Sequence, residues 1–152
     1  MRILALLLLL SPLSLFAQEQ LGKPRPAVLT SLKKYATDNP GLEARISETD
    51  STIDVTVKDP KFLTTSFSYT FDSSGLCIYE KIKSACDACR GYWLKAVLDK
   101  KAYEWKKING NQYISKFATQ VLLEIPIDDK EYTFMMFKAQ WSKEMYDMLI
   151  NH

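Results

Sequence analysis

Histidine is almost missing from this chain: of 152 residues one is His, the terminal His152. A serine or cysteine nucleophile that relies on imidazole as its base therefore has none in the body of the chain, and zinc sites that draw on histidine fail for the same reason. Cysteine numbers three, one short of a four-cysteine zinc site. The five glycines are scattered, so no phosphate-cradling loop forms. Charge of one sign is also lacking, with 20 basic against 18 acidic side chains, a balance that gives no support to nucleic-acid binding. No metal, cofactor or nucleic acid is expected from this composition.

Only one long hydrophobic run is present. Met1-Arg2 leads into Ile3 to Leu10, followed by Ser11-Pro12 and the small residue Ala17. A charged start, an apolar centre and a small residue at the end describe a secretory signal peptide cleaved after Ala17. The run is interrupted well before the roughly 20 residues that span a bilayer, so no stable membrane anchor is expected after cleavage. Gln18 to Gln20 contain no cysteine for lipid attachment. The expected organisation is a signal peptide over 1–17, a disordered lead-in over 18–25 and one domain over 26–152, located in the periplasm or outside the cell. Losing Arg2 takes the basic residues from 20 to 19 and the net charge to about +1. A body of about 135 residues that is 47% hydrophobic buries a core without help from disulfides.

Apolar periodicity supplies the element order. Pro26 and the recurrence of Val28, Leu29, Leu32, Tyr35 and Ala36 predict a helix over 26–38, stopped by Asn39-Pro40-Gly41. Leu42–Glu48 and Thr52–Lys58 read as a hairpin, and Ser66–Asp72 alternates Phe67, Tyr69 and Phe71 against serine and threonine. After Asp72-Ser73-Ser74-Gly75 a fourth strand follows. The turn residues alone fit a three-residue loop with Gly75 left-handed, opposing Phe71 to Cys77. Matching of apolar faces favours a tighter loop that pairs Phe71 with Leu76 and Tyr69 with Ile78, leaving Cys77 off the core face. A second helix is predicted from Cys86 to about Lys101, with Leu94, Leu98, Ala102 and Trp105 on its inner stripe and Trp93 and Val97 beside it. Residues 103–108 are either a last helical turn or a strand entering an Asn109-Gly110 hairpin. Strands near Val121–Ile127 and Tyr132–Ala139 precede a closing helix whose inner face is Trp141, Met145, Met148 and Leu149.

The order α-ββββ-α-ββ-α, with three helices and a mostly antiparallel sheet of about six strands, is the α+β class. It is similar to small secretion-chaperone-like folds in element order alone, a likeness that carries no functional residue across.

Three groups of residues attract a functional reading. Cys86 and Cys89 stand at the spacing shared by redox pairs and local disulfides. A strand from residue 77 to 84 separates Cys77 from Cys86 by about 25–30 Å, against the roughly 4.4–6.8 Å a disulfide tolerates, so Cys86–Cys89 is the disulfide candidate. A helix N-terminus with Lys83 and Arg90 favours a thiolate, whereas Asp87 opposes it. Ile125-Pro126 looks like the placement of the cis-proline in thioredoxin-like enzymes. The absence of an aromatic residue before Cys86, the charged strand before it and the missing strand-helix-strand unit depart from that pattern. Tyr79, Lys81 and Lys83 form the second group, an aromatic beside cations on the polar face of a strand and hence candidates for surface contact, unless a helix covers that face. Asp54, Asp128, Asp129 and Glu131 are acid-base candidates, the last three in a turn where solvated acidic residues are ordinary. Lys95, Lys100, Lys101, Lys106 and Lys107 form a solvated helix face or a contact for an anionic partner.

The function expected from these readings is an exported, non-catalytic binding or protein-interaction module whose partner is another envelope or extracellular protein. The alternative is an envelope thiol-disulfide oxidoreductase in which Cys86 attacks and Cys89 resolves. N-terminal sequencing of protein recovered outside the cytosol should begin at Gln18; a start at Met1 there would contradict the leader.

Overall fold

The computed structural model describes residues 20–59, 63–127 and 130–151. The leader, Asp128, Asp129 and His152 lie outside the described residues.

Helix α1 spans Arg25–Asp38 and buries Val28, Leu32 and Tyr35, one residue per turn on a single side. It ends where Asn39 donates its side-chain amide to the Tyr35 carbonyl at 2.9 Å, ahead of Pro40. Strands β1 (Glu43–Glu48) and β2 (Thr52–Asp59) form the expected hairpin. Its turn is held by Thr49 Oγ1, which accepts the Thr52 N–H at 3.0 Å. Strands β3 (Leu63–Phe71) and β4 (Cys77–Lys83) continue the meander, and helix α2 (Asp87–Leu98) carries the chain across. The second half comprises β5 (Lys106–Lys107), β6 (Gln112–Ile114), β7 (Val121–Glu124), β8 (Thr133–Lys138) and helix α3 (Lys143–Ile150).

The eight strands of the described residues lie in one antiparallel sheet ordered β1-β2-β3-β4-β8-β7-β6-β5. The chain builds one four-stranded meander, crosses on α2 to the far edge, and builds a second that returns to β4. The class is α+β, with two more strands than the six expected. The additional pair is β5 and β6, which settles residues 103–108 in favour of the hairpin: Asn109 Oδ1 accepts the N–H groups of Asn111 and Gln112 at 3.0 and 2.8 Å.

Helices α1 and α2 share a core with one face of the sheet, where Ile53, Val55, Phe67, Tyr69, Ile82, Leu123, Phe134 and Met136 meet Val28, Leu32, Trp93 and Val97. Helix α2 ends before Lys101, and its buried line is Cys89, Trp93 and Val97; Leu94 and Leu98 flank it. Trp93 sets that rotation. Its indole N–H donates to Thr65 Oγ1 at 3.2 Å and its ring meets Phe67 edge-on at 5.3 Å, so the largest side chain, rather than the leucines, turns inward. Trp105 also packs against this core, donating to the Val97 carbonyl at 3.0 Å.

The closing helix is phased differently from expectation. Ser142 caps α3, its hydroxyl accepting the Met145 N–H at 3.2 Å, so the helix begins after Trp141. Tyr146 becomes its buried residue and packs with Trp141, Ile114 and Phe117, while Met145 and Met148 are 49% and 59% exposed. This smaller cluster uses Ile114 and Leu122, which alternate with Tyr113, Val121 and Leu123 of the main core, so α3 packs on the opposite face of the sheet.

The β3–β4 connection also departs from the apolar matching. Gly75 adopts φ +79°, its N–H bonds to the Asp72 carbonyl at 2.9 Å, and Asp72 Oδ1 accepts the N–H groups of Ser74 and Leu76. The Ser74 hydroxyl first, and then these backbone N–H groups, hold the Asp72 carboxyl below its ordinary range. Phe71 therefore opposes Cys77, and the ladder shifts register at that point so that Thr70 faces Tyr79, leaving Ile78 as an extra residue. Cys77, Glu80 and Ile82 point into the core; Leu76 and Ile78 face out. Turn geometry thus prevails over face matching, and the bulge returns Ile82 to the core.

Buried Glu80 is tolerated because it accepts the backbone N–H of Gln20 at 2.8 Å. The described part of the expected lead-in is ordered. Gln20 and Leu21 are buried, Gly22 N–H bonds to the Cys77 carbonyl at 2.7 Å, and Cys77 N–H returns to Lys23 at 2.9 Å. The segment occupies the flank of β4 ahead of Tyr79, where pairing with β8 begins.

Replacing Ile82 by Ala should cost about 2–5 kcal/mol, whereas Ile78→Ala should cost less than about 1 kcal/mol, as expected of a surface position. Urea unfolding of the two variants checks the register; equal losses would contradict the bulge.

Candidate functional site

Two places gather the residues singled out above. The first is the corner where β4 ends and α2 begins. Cys86 and Cys89 are disulfide-bonded with their Cα atoms 5.1 Å apart. Cys86 is the N-cap of α2: its backbone is extended, its carbonyl accepts the Arg90 N–H at 2.9 Å, and its sulfur accepts the Cys89 N–H at 3.2 Å. The two residues differ in exposure: Cys86 is part-exposed and Cys89 is buried. Asp87 and Arg90 are ion-paired with each other.

Asp87 and Arg90, each one residue beyond a cysteine, form one wall of an open cleft of about 540 Å³. Gly110, Asn111, Ile125, Pro126, Ile127, Lys130 and Tyr132 complete it. Two hydrogen bonds between Asn111 and Ile125, at 2.8 and 2.9 Å, tie the β5–β6 turn to the end of β7. Tyr132 adopts φ +51°, a left-handed conformation costing an aromatic residue roughly 1–2 kcal/mol; its carbonyl is held by the Ser84 N–H at 3.2 Å. Ile127 is 76% exposed at the rim. Ile125 and Pro126 line this cleft together with Asp87 and Arg90, the residues that follow the two cysteines, and no peptide bond among the described residues is cis.

Cys77 takes no part in this corner. It is buried in the core, donates to the Tyr79 carbonyl at 3.7 Å, and its thiol is pushed up to about 12 by burial and then by the charge of Glu80. It is an inert, space-filling thiol.

The second place is the sheet face turned away from α1 and α2. Register puts Thr70, Tyr79, Phe137, Leu122 and Ile114 in one row across five strands, and Ser68, Lys81, Met135, Glu124 and Gln112 in the next. Lys83 opens a third row with Ser66 and Thr133. Tyr79, Lys81 and Lys83 thus share one face, as alternation requires. Helix α3 covers the Ile114–Leu122 end, but Tyr79, Met135 and Phe137 belong to neither core cluster. Lys81 and Lys83 both reach Glu131, at 3.7 and 2.8 Å. Burial among these neighbours and the nearby Glu124 carboxylate raise the Tyr79 phenol above its ordinary value. Met135 and Phe137 were missed in the sequence because no partner strand for β4 is visible there; the alternation of Thr133 to Lys138 was the available signal.

The remaining candidates do not converge. Asp54 lies on the same open face, accepting from Thr52 at 3.4 Å, and Glu131 is committed to the two lysines. The lysine cluster is divided: Lys95 pairs with Asp99, whereas the adjacent residues Lys106 and Lys107 approach different rings, Tyr146 and Tyr113. Among the described residues no three His, Cys, Asp or Glu side chains are grouped as metal ligands, and no helix is long and apolar enough to cross a membrane.

Comparison with protein-family models, with curated proteins and with solved structures finds no match for this chain.

A disulfide closing so short a loop constrains the unfolded chain little, about 2 kcal/mol by chain entropy, so reduction should leave the fold intact. Alkylation counted by mass spectrometry should label no cysteine in the native protein, one after denaturation without reductant, and three after denaturation with it. One label in the native state would contradict the burial of Cys77, two would contradict the bond, and three would contradict both.

Proposed function

We propose that this protein is an exported interaction module that holds another exported polypeptide on the open face of its sheet. Export is supported by the three-zone leader over 1–17 and suits the Cys86–Cys89 bond, since disulfides persist outside the cytosol. The observation that carries the binding role is the part-exposed group Tyr79, Met135 and Phe137, which serves neither hydrophobic cluster and lies against Lys81 and Lys83. An aromatic and apolar centre with a charged rim is the make-up of a protein contact surface. The 540 Å³ cleft and a second one, of about 360 Å³ beside Glu43 and Lys58, are lined by other residues, so the group stands apart from both.

A photo-crosslinking residue at position 79 or 135 should trap a discrete protein adduct in the native cells, while the same residue at the exposed α1 position Thr30 should not. Phe137→Ala should lower the adduct yield about tenfold, as expected for a central contact, with little change in unfolding midpoint. Adducts of equal yield from positions 79 and 30, or none from 79 and 135, would overturn the proposal.

A further inference from the structure

We infer that the Cys86–Cys89 disulfide is an exchange site that oxidises thiols of an extended polypeptide lying in the adjoining cleft. The inference rests on the disulfide and its cleft and not on the docking face, so the two are tested separately.

A bond kept only for stability is best placed across distant segments, where it constrains the most chain. This one joins residues three apart in sequence, at the surface end of a helix. Residue exposure sets the direction of exchange: Cys86 is part-exposed and Cys89 is buried, so an entering thiolate meets Cys86 and Cys89 departs toward the interior. The helix N-terminus and the Cys89 N–H, which already bonds to the Cys86 sulfur at 3.2 Å, stabilise negative charge on that sulfur when it becomes the leaving group. Arg90 sits one residue on, with its charge shared by Asp87.

The chemistry balances within the pair and its substrate. A substrate thiolate attacks Cys86 Sγ; the new intermolecular S–S bond forms as the Cys86–Cys89 bond breaks, and Cys89 takes the electron pair and the proton released by the substrate thiol. A second substrate thiolate then attacks the substrate sulfur of the mixed disulfide. The substrate disulfide forms, and Cys86 leaves with its electron pair as thiolate. Two substrate thiols give up two electrons and two protons, and the pair ends as a dithiol, so one turnover needs no other oxidant.

The cleft assigns the substrate class. Its far wall is Ile125, Pro126, Ile127 and Tyr132, with Ile127 about three-quarters exposed at the rim. Such a wall favours apolar side chains flanking a cysteine in an extended chain, contacts that a small polar thiol cannot make even though Asp87, Arg90, Asn111 and Lys130 line the rest of the cleft. Tyr132, strained in the left-handed region and pinned by Ser84 at the end of β4, joins that wall to the strand that leads into Cys86.

The test mixes the oxidised mature protein, without air, with a reduced peptide carrying two cysteines flanked by Leu and Phe, or with reduced glutathione at equal thiol concentration. Acid quenching and mass spectrometry follow both partners. One peptide disulfide should form for each Cys86–Cys89 bond lost, about tenfold faster per thiol than glutathione reacts, the effect of one apolar contact. Ile127→Ser should bring the peptide rate down to that of glutathione. Reduced Cys89→Ala, offered the peptide in its disulfide form, should accumulate a mixed disulfide on Cys86, and Cys86→Ala should accumulate none. A pair that stays oxidised in the presence of both thiols, or equal rates for peptide and glutathione, overturns the assignment. Should Cys89→Ala fail to fold, the wild-type time course and the exposed Ile127→Ser decide the matter alone.

Discussion

Strand β4 is the member of the sheet that both meanders need, and its register is set within four residues. Gly75 accepts a left-handed turn, Cys77 is drawn opposite Phe71, and Ile78 is left over as the bulge. From that point the strand directs Glu80 and Ile82 inward and Tyr79, Lys81 and Lys83 outward. A one-residue slip would bury the lysines and expose the core residues, so the bulge decides which face is core and which is open. Every later feature inherits this choice: β8 pairs with β4, the second meander is built from β8, and α2 starts where β4 stops.

The cost of that register is a buried carboxylate. Glu80 faces the core between Cys77 and Ile82, and the chain answers it with the backbone N–H of Gln20. The residues just ahead of α1 are thereby bonded to the flank of β4 that β8 does not reach. Burial and the charge of Glu80 also hold the Tyr69 hydroxyl and the Cys77 thiol protonated far above their ordinary ranges. Among the described residues the interior holds one buried acid, Glu80, and the disulfide sulfurs lie at the corner where α2 begins.

The two proposed activities sit at different parts of one strand. Alternation along β4 presents Tyr79, Lys81 and Lys83 to the open face, and its last residues deliver Cys86 to the helix cap. Residues 125–127 and 130–132 meet both regions, since Glu131 binds Lys81 and Lys83 while Pro126, Ile127 and Tyr132 wall the cleft. A polypeptide lying on the open face has an apolar edge and a disulfide at the end of its path.

Much of this was legible without coordinates. Strict alternation over Thr52–Lys58 and Ser66–Asp72, the proline and asparagine that bound α1, and the cysteine spacing with its extended separation from Cys77 determined the α+β class, the first hairpin, the first helix and the disulfide pairing, because each depends on neighbours close in the chain. Grouping Tyr79 with Lys81 and Lys83 needed only the two-residue period of a strand. Tertiary structure alone decided the rotation of α2, where Trp93 found Thr65 and Phe67, the inward turn of Tyr146 in place of Met145 and Met148, the pairing of β4 with β8, and the bulge at Ile78. In each case the deciding contact joins residues distant in sequence, and the free energy of filling a shared core or satisfying a buried polar group outweighs the local pattern that pointed elsewhere.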